Sequence, residues 1–199
     1  MLSHANGENP IMPKTRENKK SLSAETLAMN GLEDLLREPD LTKTPYFLIL
    51  GGKNSRRTAI AKRLLRKHPP VKPSKIEFTK QKHPVVYINA PRGSKEIQMH
   101  DSILKCLRVQ FDGSDHEANK IHMIHSYFVL FNVKMLIIDN FQDALVGPPT
   151  DRVVFMNSLK SLGDRLKVPV VLIGDNYILN AISDRFWISN KYLPIRLSK

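Results

Sequence analysis

"FLILGGKNSRRTAI", residues Phe47 to Ile60, passes from an apolar run through a Gly-initiated turn into a basic segment with helical spacing. Strand, turn and helix in that order form the setting of a phosphate-binding loop, whose pattern is G-x-x-x-x-G-K-[ST]. The eight positions here read Gly51, Gly52, Lys53, Asn54, Ser55, Arg56, Arg57 and Thr58. Gly51 and Thr58 fit. Arg56 stands where the second Gly belongs, and Arg57 where the Lys belongs. That second Gly lets the backbone approach phosphates and tolerates positive φ. A non-Gly residue held in the left-handed region costs about 1–2 kcal/mol. Arg57 keeps a positive charge, but a planar fork differs from a point charge on a flexible stem. Thr58 retains a hydroxyl suited to Mg²⁺. Both arginines open a helix, where cations oppose the macrodipole by about 0.3–1 kcal/mol each. A bound phosphate, from a nucleotide or from DNA, would relieve that opposition; the alternative is that both side chains splay into water.

Working outward, strands and helices alternate. Upstream, "SAETLAMNGLEDLLREPD" places Leu27, Leu32, Leu35 and Leu36 near one helical face, with Ser23 as N-cap. Residues 1–20 are polar and rich in Gly, Pro and Asn, and are expected to form a disordered basic arm; the domain proper is expected over 21–199. Tyr46–Leu50 reads as a buried strand and Ser55–His68 as a helix. Pro69, Pro70 and Pro73 then open a basic loop. Strands follow over Pro84–Ala90, Val133–Asp139 and Val168–Gly174, with helices over Ser94–Val109, Glu117–Asn132 and Asp151–Leu166. Ile97, Ile103, Leu104 and Leu107 are expected inward on the first of these helices, and Val154, Phe155, Leu159, Leu162 and Leu166 on the last. A short helix near Tyr177–Ser183 and a strand in "YLPIRL" close the chain, and Pro194 makes that strand an edge candidate. Strands apolar on both faces, separated by helices, predict an α/β fold with a parallel five-stranded sheet covered on both sides. Ligands in such sheets sit beyond the carboxyl ends of the strands, here after Leu50, Ile138 and Ile173.

"MLIIDN", Met135 to Asn140, is the second informative strand. An Asp ending a wholly apolar strand is placed to hold a metal-bound water, so Asp139 joins Thr58 as a candidate Mg²⁺ residue. The alternative is a strand-ending Asp that caps the next turn. The next residue is Asn140, whose amide orients water without accepting its proton at neutral pH.

The charge balance points to a polyanionic partner. The chain of 199 residues carries a net +12. Between Lys53 and Lys82 stand eleven Lys or Arg against one acid, Glu77. Such density exceeds what solubility requires and is the footprint of nucleic-acid contact; the alternative is a solvated helix face followed by a basic loop. The candidate contacts are Arg63, Arg66, Lys67, Lys72 and Lys75. A single cysteine, Cys106, leaves no internal disulfide framework and fits a reducing compartment. No apolar run approaches the roughly 18 residues that span a membrane, and the first twenty residues lack an apolar signal core. A cytoplasmic protein is the expectation. His122 and His125, with His116 upstream, have the spacing of a helical pair but no assignable third ligand, so an exposed or satisfied pair is expected. Trp187 and Phe186 beside Arg185 are expected as a packing anchor.

The order of these segments resembles the TniB family, AAA+ ATPase-like proteins that select target DNA in bacterial transposition and are related to TnsC and MuB. The resemblance covers about Leu32 to Leu193. It is carried by "FLILGGKNSRRTAIAKRLLRKHPP", "PVVYINAP", "VKMLIIDNFQDALVG", "FMNSLKSLGDRLKVPVVLIGD" and "AISDRFWISNKYLPI". It implies a P-loop NTPase fold of AAA+ type, with ATP and Mg²⁺ as cofactors. Double-stranded DNA and a transposase subunit are the implied partners, and self-association is implied too. Transferred to this sequence, the nucleotide positions are Gly51 to Thr58 together with a sensor near Asp175 or Asn176. The metal positions are Thr58 and Asp139, and the catalytic Glu position is Asn140. Arg185 matches an arginine that in AAA+ assemblies reaches a neighbour's nucleotide. Relatives continue into a helical lid, which is expected to be largely missing here. The expected function is therefore a target-DNA adaptor to a transposase, a pseudo-ATPase with impaired or lost hydrolysis. Two alternatives stay open: a slow ATPase using Arg57, and a protein-interaction module or decaying gene product without nucleotide binding.

Overall fold

The computed structural model describes residues 23–37, 46–53, 55–72, 81–181 and 194–197. The expected arm, Asn54, Lys75 and Arg185 with its Phe186–Trp187 neighbours lie outside them. Helix α1 spans Ala24–Arg37 and begins at Ser23, whose Oγ accepts the Thr26 amide at 3.2 Å. Strand β1 (Tyr46–Gly51) leads through the loop into α2 (Arg57–Lys67). Then come β2 (Val85–Asn89), α3 (Glu96–Cys106), α4 (Glu117–Leu130) and β3 (Met135–Asp139). A 3₁₀ turn (Phe141–Leu145), α5 (Pro149–Leu166), β4 (Val170–Gly174), α6 (Tyr177–Ala181) and β5 (Pro194–Leu197) complete the order.

The five strands form one parallel sheet in the order β2-β3-β4-β1-β5, with β5 at an edge as Pro194 predicts. Strand alternation divides the core into two. Leu48, Leu50, Val86, Ile88, Leu136, Ile138, Val170 and Leu172 face α3, α4 and α5. Ile49, Val85, Met135, Ile137, Val171 and Ile173 face α1 and α2. Each strand residue therefore has a face fixed by parity, which is why these strands read as continuous apolar runs. Leu32 is buried as expected, whereas Leu27, Ile97 and Val154 are exposed. All three lie in the first two turns of their helices, where the inward stripe was extended too far toward the N-terminus. Among the described residues, no helix is long and apolar enough to cross a membrane.

Two polar groups are buried between α3 and α4. His100 is fully buried, and neither ring nitrogen has a hydrogen-bond partner among the described residues. Burial pushes its pKa below the ordinary 6.5, against a smaller upward pull from the Glu117 carboxylate 3.8 Å away. The unfolded chain thus takes up this proton more readily than the native one. Stability is full above about pH 6.5 and falls as the pH drops below it. Urea unfolding should show stability falling between pH 7 and 5.5. His100→Gln should flatten that profile; an unchanged profile would contradict the assignment.

Candidate phosphate loop and basic face

The loop after β1 is built by close backbone approach. Ser55 is buried, its Oγ donates to the Gly52 carbonyl at 2.7 Å, and its amide reaches the same oxygen at 3.1 Å. A Cβ on Gly51 would overlap the Ser55 hydroxyl, so only glycine permits this fold-back. Arg56 then takes φ 54° and ψ 14° as the residue before α2, the left-handed conformation that the missing glycine would adopt without cost. Its side chain is exposed, as are Gly52 and Lys53.

Arg57 does not splay into water. It is only 8% exposed, and its Nη1 donates to the Gly51 carbonyl at the end of β1. The guanidinium is thus spent on the chain's own backbone. Thr58 follows in the first turn of α2, half-buried. With no acid in that turn, nothing in the helix offsets two cations at its positive end.

Asp139 ends β3 with no exposed surface. Its parity, shared with Met135 and Ile137, turns it to the face that carries α2. Its Oδ2 accepts the Tyr87 hydroxyl at 2.8 Å and its Oδ1 accepts the Asn140 amide at 2.7 Å. Burial, and then the carboxylate itself, push the Tyr87 pKa well above that of free tyrosine, so the phenol stays a donor. Asn140 has φ 53°, which asparagine tolerates better than most residues, and its amide donates to Asn89 Oδ1 at 3.2 Å. Asn89 sits opposite Asp139 in the β2–β3 register. Asp175, just past β4, donates its backbone amide to Gln142 Oε1 at 3.3 Å, and its Oδ1 accepts the Tyr177 amide at 2.9 Å.

Because every strand runs the same way, Gly51, Asp139 and Asp175 all end at one rim, with β4 lying between β1 and β3. Tyr87, Asn89 and Gln142 were not singled out in the sequence. Their signal is positional: Tyr87 and Asn89 alternate on β2, and only the β2–β3 register brings them to Asp139 and Asn140. Gly51, Thr58 and Asp139 keep the positions that would hold a triphosphate and its Mg²⁺, while the one cation at the Lys position faces a carbonyl and two donors take part of the carboxylate's acceptor capacity.

The basic residues separate into two kinds. Arg63, Arg66 and Lys72 are exposed, and among the described residues no carboxylate pairs with them. Lys67 is instead tied to Glu33 at 2.9 Å, where His68 also reaches the same carboxylate at 3.0 Å. The Lys67 hydrogen bond leads in holding Glu33 below the usual carboxylate range. Lys67 therefore also pins α2 to α1. His116, His122 and His125 are exposed, and no cluster of three metal-ligating side chains forms among the described residues.

A parallel sheet in this order, with a glycine-initiated loop after β1 and a carboxylate ending β3, is a P-loop fold of the AAA+ ATPase type. It is similar to Cdc6 from Pyrobaculum aerophilum, with a TM-score of 0.58 and 16% identity over 96% of this chain and 48% of that one. ORC2 from Aeropyrum pernix, solved as ADPNP–ADP complexes, gives 0.64 and 14% identity over 96% and 50%. The chain spans about half the length of both. It belongs to the TniB family: the family described as bacterial TniB protein matches residues 18–199. No curated protein matches the chain significantly.

Proposed function

We propose that this chain is a DNA-transposition accessory protein, an AAA+-like adaptor that rests on target duplex DNA and presents it to a transposase, with ATP hydrolysis impaired or lost. TniB membership supplies the biological setting. The observation that carries the impairment is Arg57 turned back on the Gly51 carbonyl, with Asn140 in the place of the water-polarising Glu. An amide held by Asn89 accepts no proton at neutral pH. DNA binding rests on the free cations of α2 and the loop after it, and is a phosphate-directed interaction with little sequence preference.

Charge reversal of Arg63, Arg66, Lys72 and Lys75 together is expected to weaken binding to a 30-base-pair duplex at least tenfold and to flatten its dependence on salt. Lys67→Glu alone should act on thermal stability more than on DNA affinity, because it breaks the bracket to Glu33. Equal affinity of wild type and the fourfold variant at low salt would reject the DNA reading. Calorimetric titration with a non-hydrolysable ATP analogue and Mg²⁺, with and without duplex, tests the nucleotide side. ATP turnover above background that disappears in Asp139→Ala would favour a slow ATPase instead. Normal transposition after Thr58→Ala with Asp139→Ala would favour an interaction module.

A further inference from the structure

A groove of about 1090 Å³ opens at the sheet's amino-terminal rim, the end away from the phosphate loop. It is enclosed where four segments end or begin: the exit from α2, the entry to β2, the end of α3 and the end of α4. Its aromatic surface is Tyr127 and Phe131, with ring centroids 5.4 Å apart, and Leu107 and Val109 add aliphatic surface. The charged residues among its described lining are both cations, Lys72 and Arg108, and both are exposed. Val71, also in its lining, is 41% exposed and adds apolar surface at the exit from α2.

Arg108 holds φ 56° just after α3, the helix-ending conformation that Asn132 and Lys167 also adopt after α4 and α5.

We infer that this groove docks a partner protein through an extended acidic segment carrying an aromatic or branched aliphatic side chain. Carboxylates meet Arg108 and Lys72, and the apolar side chain enters between Tyr127, Phe131 and Leu107. Small-molecule sites occupy about 300–1,000 Å³, so this volume suits several consecutive side chains better than one compact ligand. Duplex DNA is the less fitting occupant, because its phosphates gain nothing from an aliphatic and aromatic interior. The groove's position leaves the phosphate loop free while the segment is bound.

The probe is a fluorescein-labelled peptide, Asp-Glu-Leu-Phe-Asp-Glu, followed by anisotropy against the full chain. Controls are its Asn/Gln counterpart and its Phe→Ala counterpart. Both controls are expected to bind at least tenfold more weakly. Arg108→Gly should lose affinity to a similar extent while keeping or raising stability, since glycine is relaxed at this φ. Cys106, the chain's one cysteine, lines the groove, so peptide binding should slow its alkylation by iodoacetamide. Peptide affinity unchanged in Arg108→Gly, or Cys106 alkylation slowed by duplex DNA and not by the peptide, would each overturn the proposal; the second would assign the groove to nucleic acid.

Discussion

Replacing Arg56 by Gly and Arg57 by Lys is expected to raise affinity for a non-hydrolysable ATP analogue with Mg²⁺ at least tenfold, about 1.4 kcal/mol. Two effects act on binding, and a third stabilises the free and bound protein alike. Glycine at position 56 removes the left-handed penalty of about 1–2 kcal/mol, so Arg56→Gly alone should also stabilise the fold. It also clears a long side chain from the place where the backbone approaches phosphate. Lysine at position 57 replaces a planar, nearly buried guanidinium by a flexible ammonium that leaves the Gly51 carbonyl and turns outward more readily. Calorimetry of wild type, each single variant and the pair decides the matter. An affinity that stays flat across all four proteins would mean that the loop is not what limits nucleotide binding. Turnover should still require Asn140→Glu, because the restored loop supplies charge but no proton acceptor.

Lys120→Ala is expected to cost about 3–5 kcal/mol, a large share of the roughly 5–15 kcal/mol of a typical domain. Lys120 is wholly buried. Its Nζ donates to Asp101 Oδ1 at 2.8 Å and to the Gly113 carbonyl at 2.9 Å, and lies 5.6 Å from the Phe111 ring centroid. One ammonium thus joins α4, α3 and the connection between them. Truncation leaves a half-buried carboxylate and a carbonyl without their donor. Replacing both charges, as Lys120→Met with Asp101→Leu, should recover much of the loss, since a missing partner costs more than a missing pair. Urea unfolding at constant m-value is the measurement. A loss below about 1 kcal/mol for Lys120→Ala would show that the pair is solvated and dispensable.

The sheet was legible because its strands are apolar on both faces and three of them end at Gly or Asp. Each of the first four observed strands lies within two residues of its expected start. The loop was legible as a pattern with two exceptions, and Arg56 shows why: the chain adopts the glycine conformation without the glycine. What the pattern does not carry is side-chain direction. Nothing in the sequence distinguishes Arg57, folded onto a carbonyl, from Arg56, which faces solvent. Lys67 looked like its neighbours on α2 until Glu33, 34 positions earlier, was brought beside it by the packing of α1 on α2. Tyr87 and Asn89 were hidden for the same reason, since strand adjacency is a tertiary fact. Lys120 was not singled out in the sequence; it is buried because the Asp101 carboxylate and the Gly113 carbonyl accept from it.

Helix α2 has a mechanical consequence. Its eleven residues make a rod about 16 Å long, clamped at its far end by Glu33 and held at its near end by Arg57 on the Gly51 carbonyl. Ile60, Ala61 and Leu64 seat its middle in the core between those two ends, so the rod is fastened along its whole length and shifts only together with the sheet face beneath it.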